Sequence, residues 1–408
     1  MSVNLPAPKH SDLLAISGIK LGIASAGIKT VDRTDLVLIQ LAESTTTSVV
    51  YTQNVFCAAP VMLAKQHQNE ASPRYLLINS GNANAGTGEA GLQAAQDCCS
   101  AVAELTNDTK NAVLPFSTGV IGQQLPVDKI KKALPDAFQD LKADNWFDAA
   151  HAIMTTDTVA KAISKQVEID GNTITVTGMA KGSGMIRPDM ATMLSYIATD
   201  AAVEQSVLDT ILHNAVEQSF NRITVDGDTS TNDACVLMAT GQAANNTIDD
   251  IDSAEAQNLY QVIVQISQQL AQAIVRDGEG ATKFIEIQVE QGVDTQECRQ
   301  VAYTIAHSPL VKTAFFASDP NWGRILAAIG RSKIRDFDLS KVTIYLGDVC
   351  IVNGGQPASD YTEQKGQQVM DEDEITIKVE LGRGNAKDTV WTCDFSYDYV
   401  KINAEYRT

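Results

Sequence analysis

Short apolar runs alternate along the chain with segments of helical period, punctuated by Gly, Asn and Pro, and this pattern predicts a mixed α/β protein. Leu36–Leu41 and residues 75–78 are short apolar runs bounded by turn residues, which predicts buried strands. Leu92, Ala95, Cys99, Val102 and Leu105 recur at helical spacing, so an amphipathic helix follows Gly91. Val167, Ile169, Ile174 and Val176 flank Asp170-Gly171-Asn172, the signature of a hairpin that ends at Gly178. A glycine-rich loop from Lys181 to Met190 then leads into a buried strand over residues 192–198, opened by Thr192. Val203, Val207, Ile211, Ala215 and Ser219 mark a second helix. Leu259, Val262, Ile263, Ile266, Leu270 and Ile274 mark a third, with Asp252 and Glu255 spaced as a capping box. Ile285, Ile287 and Val289 alternate with Glu286, Gln288 and Glu290 as a half-exposed strand does, and further strands are predicted at 342–346, 375–381 and 390–395.

Composition adds scale and sign. The 408 residues are 44% hydrophobic and 20% charged, enough apolar surface for a substantial core. Lys and Arg number 31 against 50 Asp and Glu, and the net charge of −19 is the wrong sign for tracking nucleic-acid phosphates or anionic lipid. Seven cysteines without framework spacing predict free thiols in a reducing compartment. With no leader pattern at the start and no apolar run of membrane-spanning length, the expectation is a soluble, cytoplasmic protein that binds neither nucleic acid nor membrane.

Most candidate chemistry reduces to structure. Gly86, Gly88 and Gly91 form a GxGxxG between a strand and a helix, the setting of a dinucleotide site. No acidic residue follows where a ribose would need one, because residues 112–114 run into Pro115-Phe116-Ser117. Asn79, Asn82 and Asn84 instead read as a loop of side-chain-to-backbone bonds. The five histidines are scattered without ligand spacing, so no metal and no resident cofactor is expected. Cys98 and Cys99 diverge on a helix, so at most one should face the core. Lys129, Lys131 and Lys132 read as a solvated helix face, and the acidic run 371–374 as a solvated turn.

Thr192 stands apart. A Thr that becomes the first residue of a chain carries its own base, since an α-amine of pKa about 7.7–8.0 can take the hydroxyl proton at cellular pH. Making such a Thr internally requires an N-to-O acyl shift, which favours a small preceding residue and a flexible, strained loop upstream. Ala191 and the loop from Lys181 to Met190 meet both conditions, although Thr at the start of a strand also has the bland explanation of β-propensity.

The block KGSGMIRPDMATMLSYIATDA resembles the signature of the ornithine acetyltransferase family, the glutamate N-acetyltransferases of arginine biosynthesis, in which the bond before the Thr breaks autocatalytically. YTQNVFCAAPV, INSGNANAGTGEAG, PFSTGVIG, TTDT, NRITVDGDTSTND, VRDGEGATKF, SDPNWGR and the terminal KINAEYRT resemble further family segments in the same order, so the likeness spans essentially the whole chain.

The resemblance implies a layered α/β/β/α sandwich (α/β, α+β), similar to self-processing aminopeptidases. It implies cleavage between Ala191 and Thr192 into an α chain, 1–191, and a β chain, 192–408, within one fold, assembled as a heterotetramer of two of each. The implied reaction moves an acetyl group from N-acetylornithine to glutamate through an acetyl-enzyme on Thr192, with acetyl-CoA as a candidate second donor. Thr118 and Gly119 take the place of the family's oxyanion pair, and Thr155, Lys181, Thr192, Glu279, Asn403 and Thr408 of its substrate contacts. Arg187 and Asp189 lie in the loop before the cut. Two other classes stay open: an amidohydrolase or aminopeptidase using the same Thr with water as acceptor, and a nucleotide-binding module on Gly86 to Gly91.

Overall fold

A computed structural model describes residues 2–187 and 193–405. Ala191, Thr192 and Thr408 of the expected site, and Asp189 of the loop before the cut, lie outside the described residues. The first part of the chain runs β1 (Ile19–Ala24), β2 (Leu36–Leu41), β3 (Thr46–Tyr51), α1 (Ala59–Glu70), β4 (Tyr75–Asn82), α2 (Gly88–Thr106), β5 (Val113–Val120), α3 (Val127–Gln139), α4 (Trp146–Ala152), β6 (Lys161–Ile169) and β7 (Asn172–Lys181). Next come β8 (Leu194–Thr199), α5 (Gln205–Glu217), β9 (Ala234–Ala239) and α6 (Ala254–Arg276). The last part runs β10 (Phe284–Gly292), α7 (Thr295–Ala306), α8 (Pro309–Phe316), α9 (Trp322–Gly330), β11 (Thr343–Leu346), β12 (Val349–Asn353), β13 (Gln356–Pro357), α10 (Glu363–Met370), β14 (Glu374–Glu380), β15 (Ala386–Cys393) and α11 (Tyr397–Ala404).

Two sheets face each other. The first has the order β1-β2-β4-β5, and the second β3-β9-β8-β7-β6, with β4/β5 and β8/β9 the parallel pairs. Period-two alternation divides each strand between two cores. Val37, Ile39, Leu76, Ile78, Leu114 and Phe116 of the first sheet meet Leu194, Tyr196, Ala198, Val236 and Met238 of the second, and the Phe116 and Tyr196 rings pack edge to face at 5.5 Å. Leu36, Leu38 and Leu77 turn outward under α2 and α3, while Val176, Ile197, Cys235 and Leu237 turn outward under α5 and α6. The layer order is therefore α/β/β/α, the expected architecture. A third sheet, β13-β12-β11-β14-β10-β15, lies beyond it with α7 and α9 packed on one face. Among the described residues no helix is long and apolar enough to cross a membrane.

Several local expectations hold. The Asp170-Gly171 turn has φ +53° and +73°, the left-handed pair that a two-residue hairpin needs, although β7 runs on past Gly178 to Lys181. Ile285, Ile287 and Val289 are buried while Glu286, Gln288 and Glu290 are half-exposed. Three details differ. Ser253, rather than Asp252, caps α6, accepting from Ala256 N–H at 3.1 Å. β5 continues through Pro115 because it is an edge strand, where a missing N–H costs no ladder bond. Cys98 and Cys99 are both buried, because α2 packs on β5 and is flanked by α1 and α3.

Candidate active site

The cavity that gathers the expected site residues, about 160 Å³, opens where the C-terminal end of β5, the end of β7 and the start of β8 and β9 come together. Thr118 and Gly119 form its wall from β5. Gly119 sits at φ +132°, and a Cβ there would stand 2.3 Å from the Gly81 carbonyl carbon and 2.5 Å from Asn82 N, so only glycine fits beside the irregular β4 register. Asn232, just before β9, donates to Ser117 O at 2.9 Å and Ala83 O at 2.6 Å, fastening this wall to the opposite sheet.

Lys181, the last residue of β7, is buried and donates to Thr118 Oγ1 at 3.2 Å. Burial lowers the proton affinity of its ammonium, and Asp157, Asp233 and Glu279 act against that loss. Beneath it lies a network with almost no exposure. Lys161 Nζ sits 2.7 Å from both Asp157 Oδ1 and Asp277 Oδ2. Asp157 also accepts from Thr155 N–H at 3.0 Å and Gly182 N–H at 2.8 Å; Asp277 accepts from Thr158 N–H at 2.9 Å, Val159 N–H at 3.2 Å and the Thr158 hydroxyl. Burial opposes the charge of Asp157, but Lys161, Lys181 and these donors hold its carboxyl well below the usual range. Three loops, 155–159, 181–184 and 277–280, are thereby locked together around one ammonium group.

Glu279 lies between the last two. Its N–H donates to Ser183 O at 2.9 Å, and its carboxylate lies so close to Gly184 that a Cβ there would stand 2.3 Å from Glu279 Cδ. Asn403 on α11 donates to Glu279 Oε2 at 2.8 Å, bringing the C-terminal helix to the cavity. The chain approaching residue 188 is pinned as well. Asp226 accepts from Met185 N–H at 2.6 Å and Ile186 N–H at 2.9 Å, Thr224 donates to Ile186 O, and Thr229 to Arg187 O. Met185 is held at φ +56°, a left-handed conformation unusual for a side chain of its size. Past the gap in the described residues, Met193 lines the cavity and its carbonyl accepts from Ala234 N–H at 2.9 Å.

Thr118, Gly119, Thr155, Lys181, Glu279 and Asn403, spread over nearly three hundred positions of sequence, thus line one cavity. Asp157, Lys161, Asp277, Asp226, Asn232 and Asp233 were not singled out by sequence reasoning. Five of the six stand inside the recognised blocks TTDT, NRITVDGDTSTND and VRDGEGATKF, which is the signal that could have found them; Lys161 lies three residues beyond TTDT. The Gly86–Gly91 segment is a structural turn: Asn84 Nδ2 donates to Gly91 O at 2.9 Å, and Thr87 Oγ1 to Asn84 Oδ1 at 2.9 Å, filling the helix entrance from within.

Fold and site together define a four-layer α/β/β/α protein with a polar cavity at one end of its two facing sheets. The ArgJ family model matches residues 20–408, and the chain belongs to that family. It is 57% identical over 393 residues, 96% of this chain and 97% of the relative, to the arginine biosynthesis bifunctional protein ArgJ of Pseudomonas syringae pv. tomato, and 55% identical over the same shares to that of Psychrobacter arcticus. A crystal structure of the Bacillus halodurans arginine biosynthesis bifunctional protein ArgJ is 41% identical and aligns with a TM-score of 0.50. The alignment covers 52% of this chain and 99% of the solved one, so that chain is about half as long.

Proposed function

We propose that this protein transfers an acetyl group from N-acetylornithine to glutamate in arginine biosynthesis, through an acetyl-enzyme on a Thr192 freed by self-cleavage after Ala191. The observation that carries this reading is the convergence of Thr118, Gly119, Thr155, Lys181, Glu279 and Asn403 on one cavity whose wall includes Met193, the residue bonded to Thr192. Relatives at 55–57% identity named for arginine biosynthesis support the pathway. A solved relative of about half the length is what a precursor cut near its middle supplies.

Each group then has a task. The Thr192 hydroxyl attacks the acetyl carbonyl while its α-amine accepts the proton; the amide C–N bond breaks and an ester C–O bond forms. The Thr118 hydroxyl and the Gly119 N–H donate to the tetrahedral oxygen, an arrangement in which one lost donor costs about 10²–10³ in turnover. Lys181 presents a buried positive charge to a substrate carboxylate. Glu279, oriented by Asn403, faces the amines, and Thr155 and Thr408 complete the contacts. Acetyl-CoA enters as a second donor to the same Thr192. Chains 1–191 and 192–408 remain one fold, assembled as two of each.

Purified protein should run as two bands, of 191 and 217 residues, with Thr192 as the new N-terminus. Thr192→Ala should leave one band and no transfer. An intact wild-type chain with full activity refutes the mechanism, and equal acetylornithine consumption with and without glutamate assigns the protein to hydrolysis instead.

A further inference from the structure

Asp233 is the cavity's unexplained group. It is 3% exposed, lines the cavity, and its Oδ2 has no hydrogen-bond partner among the described residues. It immediately precedes β9, one residue before the Ala234 N–H that binds Met193 O, so it stands beside the entry to β8. Lys181 from β7 is its nearby cation, yet no ion pair joins them; Glu279 shares the cavity, and Asp157 is already occupied by Lys161. A buried carboxyl oxygen without a partner costs free energy unless a ligand supplies one.

The proposed reaction has a matching gap in its protons. The Thr192 hydroxyl proton suffices to expel ornithine as a neutral amine, but an amino acid's α-amine is an ammonium at neutral pH, so one more proton is needed. Glutamate arrives as an ammonium and must shed one proton before its lone pair can attack. Between the half-reactions the enzyme is therefore short of one proton.

Resting on the acetyl-transfer reading, we propose that Asp233 is a catalytic carboxyl that gives this proton to the departing ornithine amine and recovers it from the incoming glutamate ammonium. The free enzyme holds Asp233 as the acid; the acetyl-enzyme holds it as the carboxylate, which also attracts the ammonium of the acceptor. Once glutamate is deprotonated, its nitrogen attacks the ester, the C–O bond breaks, the amide forms, and the amine's second proton returns through the Thr192 α-amine to the hydroxyl. Burial raises the Asp233 carboxyl well above the ordinary aspartate range, against a smaller opposing effect of Ser230 and Lys181, as a group alternating between acid and base requires.

The test uses the processed enzyme and two acceptors, glutamate and hydroxylamine, the latter already unprotonated at neutral pH. Asp233→Asn should slow release of the acetyl group to glutamate by about 10²–10⁴-fold at pH 7 and leave release to hydroxylamine unchanged. Equal loss with both acceptors, or none with glutamate, overturns the assignment. A second measurement needs no variant: in weakly buffered solution, the ornithine burst of the wild type should take up no proton from the solvent. Uptake of one proton per acetyl-enzyme also overturns it. Absence of any acetyl-enzyme by intact mass would instead sink the acetyl-transfer reading itself.

Discussion

Lys161 shows how much a single buried charge holds in place. Its ammonium is shared by two carboxylates that are themselves almost wholly sequestered, and each carboxylate collects backbone N–H groups from a different loop. Replacing Lys161 with Met would leave Asp157 and Asp277 facing each other without the cation they share, and breaking a buried pair in this way costs about 3–5 kcal/mol. Urea unfolding of Lys161→Met should show a loss of that size, together with reduced acetyl transfer as the loops carrying Thr155 and Glu279 loosen. At this scale the sequence is only partly legible. Thr118, Gly119, Lys181 and Glu279 could be picked out through the blocks around them, because family motifs retain the residue types that chemistry demands. Asp277 and Asp233 stand in such blocks too, but their roles, like that of Lys161, come from partners as far as 119 positions away or, for Asp233, from the lack of one.

Elements carry the site's geometry in ways that periodicity does not reveal. β5 ends in the oxyanion candidates because the first sheet stops there and Gly119 permits its backbone to lie against Gly81. α7 belongs to the third sheet, yet its C-cap His307 reaches Thr224 Oγ1 at 3.1 Å. Since that hydroxyl donates to Ile186 O, the imidazole donates through Nε2, linking α7 to the loop before residue 188. Burial, with the charges of Arg187, Lys312 and Arg331, pushes His307 down from 6.5 to about 4. The unfolded imidazole thus takes a proton below about 6.5 while the folded one refuses it until about 4, so stability falls as pH drops through that window. Melting temperatures measured between pH 7 and 4.5 should fall less steeply for His307→Gln than for the wild type.

The proposed cut between residues 191 and 192 has a consequence for the whole molecule. β8 lies in the middle of the second sheet, between β7 from one side of the cut and β9 from the other, so each fragment supplies strands to the same sheet. Produced alone, 1–191 would expose the free edge of β7 and the apolar faces of both cores, a pairing template that favours aggregation. It should therefore be insoluble alone and recovered in soluble form when co-expressed with 192–408; a soluble, folded 1–191 on its own would contradict this account of the core. Net charge of −19 keeps the assembled surface repulsive toward further copies.

Local order was in the amino-acid sequence: which segments become strands or helices, the hairpin at Asp170-Gly171, the turn at Gly86 to Gly91, and the motifs that mark the family. These depend on neighbours within one turn or one strand, where side-chain period and backbone preference act directly. The layered α/β/β/α stacking was implied by those motifs; tertiary structure alone decided that a third sheet stands beyond it, that both Cys98 and Cys99 are buried, and that Asp157, Lys161 and Asp277 meet. Such facts depend on long-range contacts and on the dielectric those contacts create, and a charge changes its meaning once water is removed from around it.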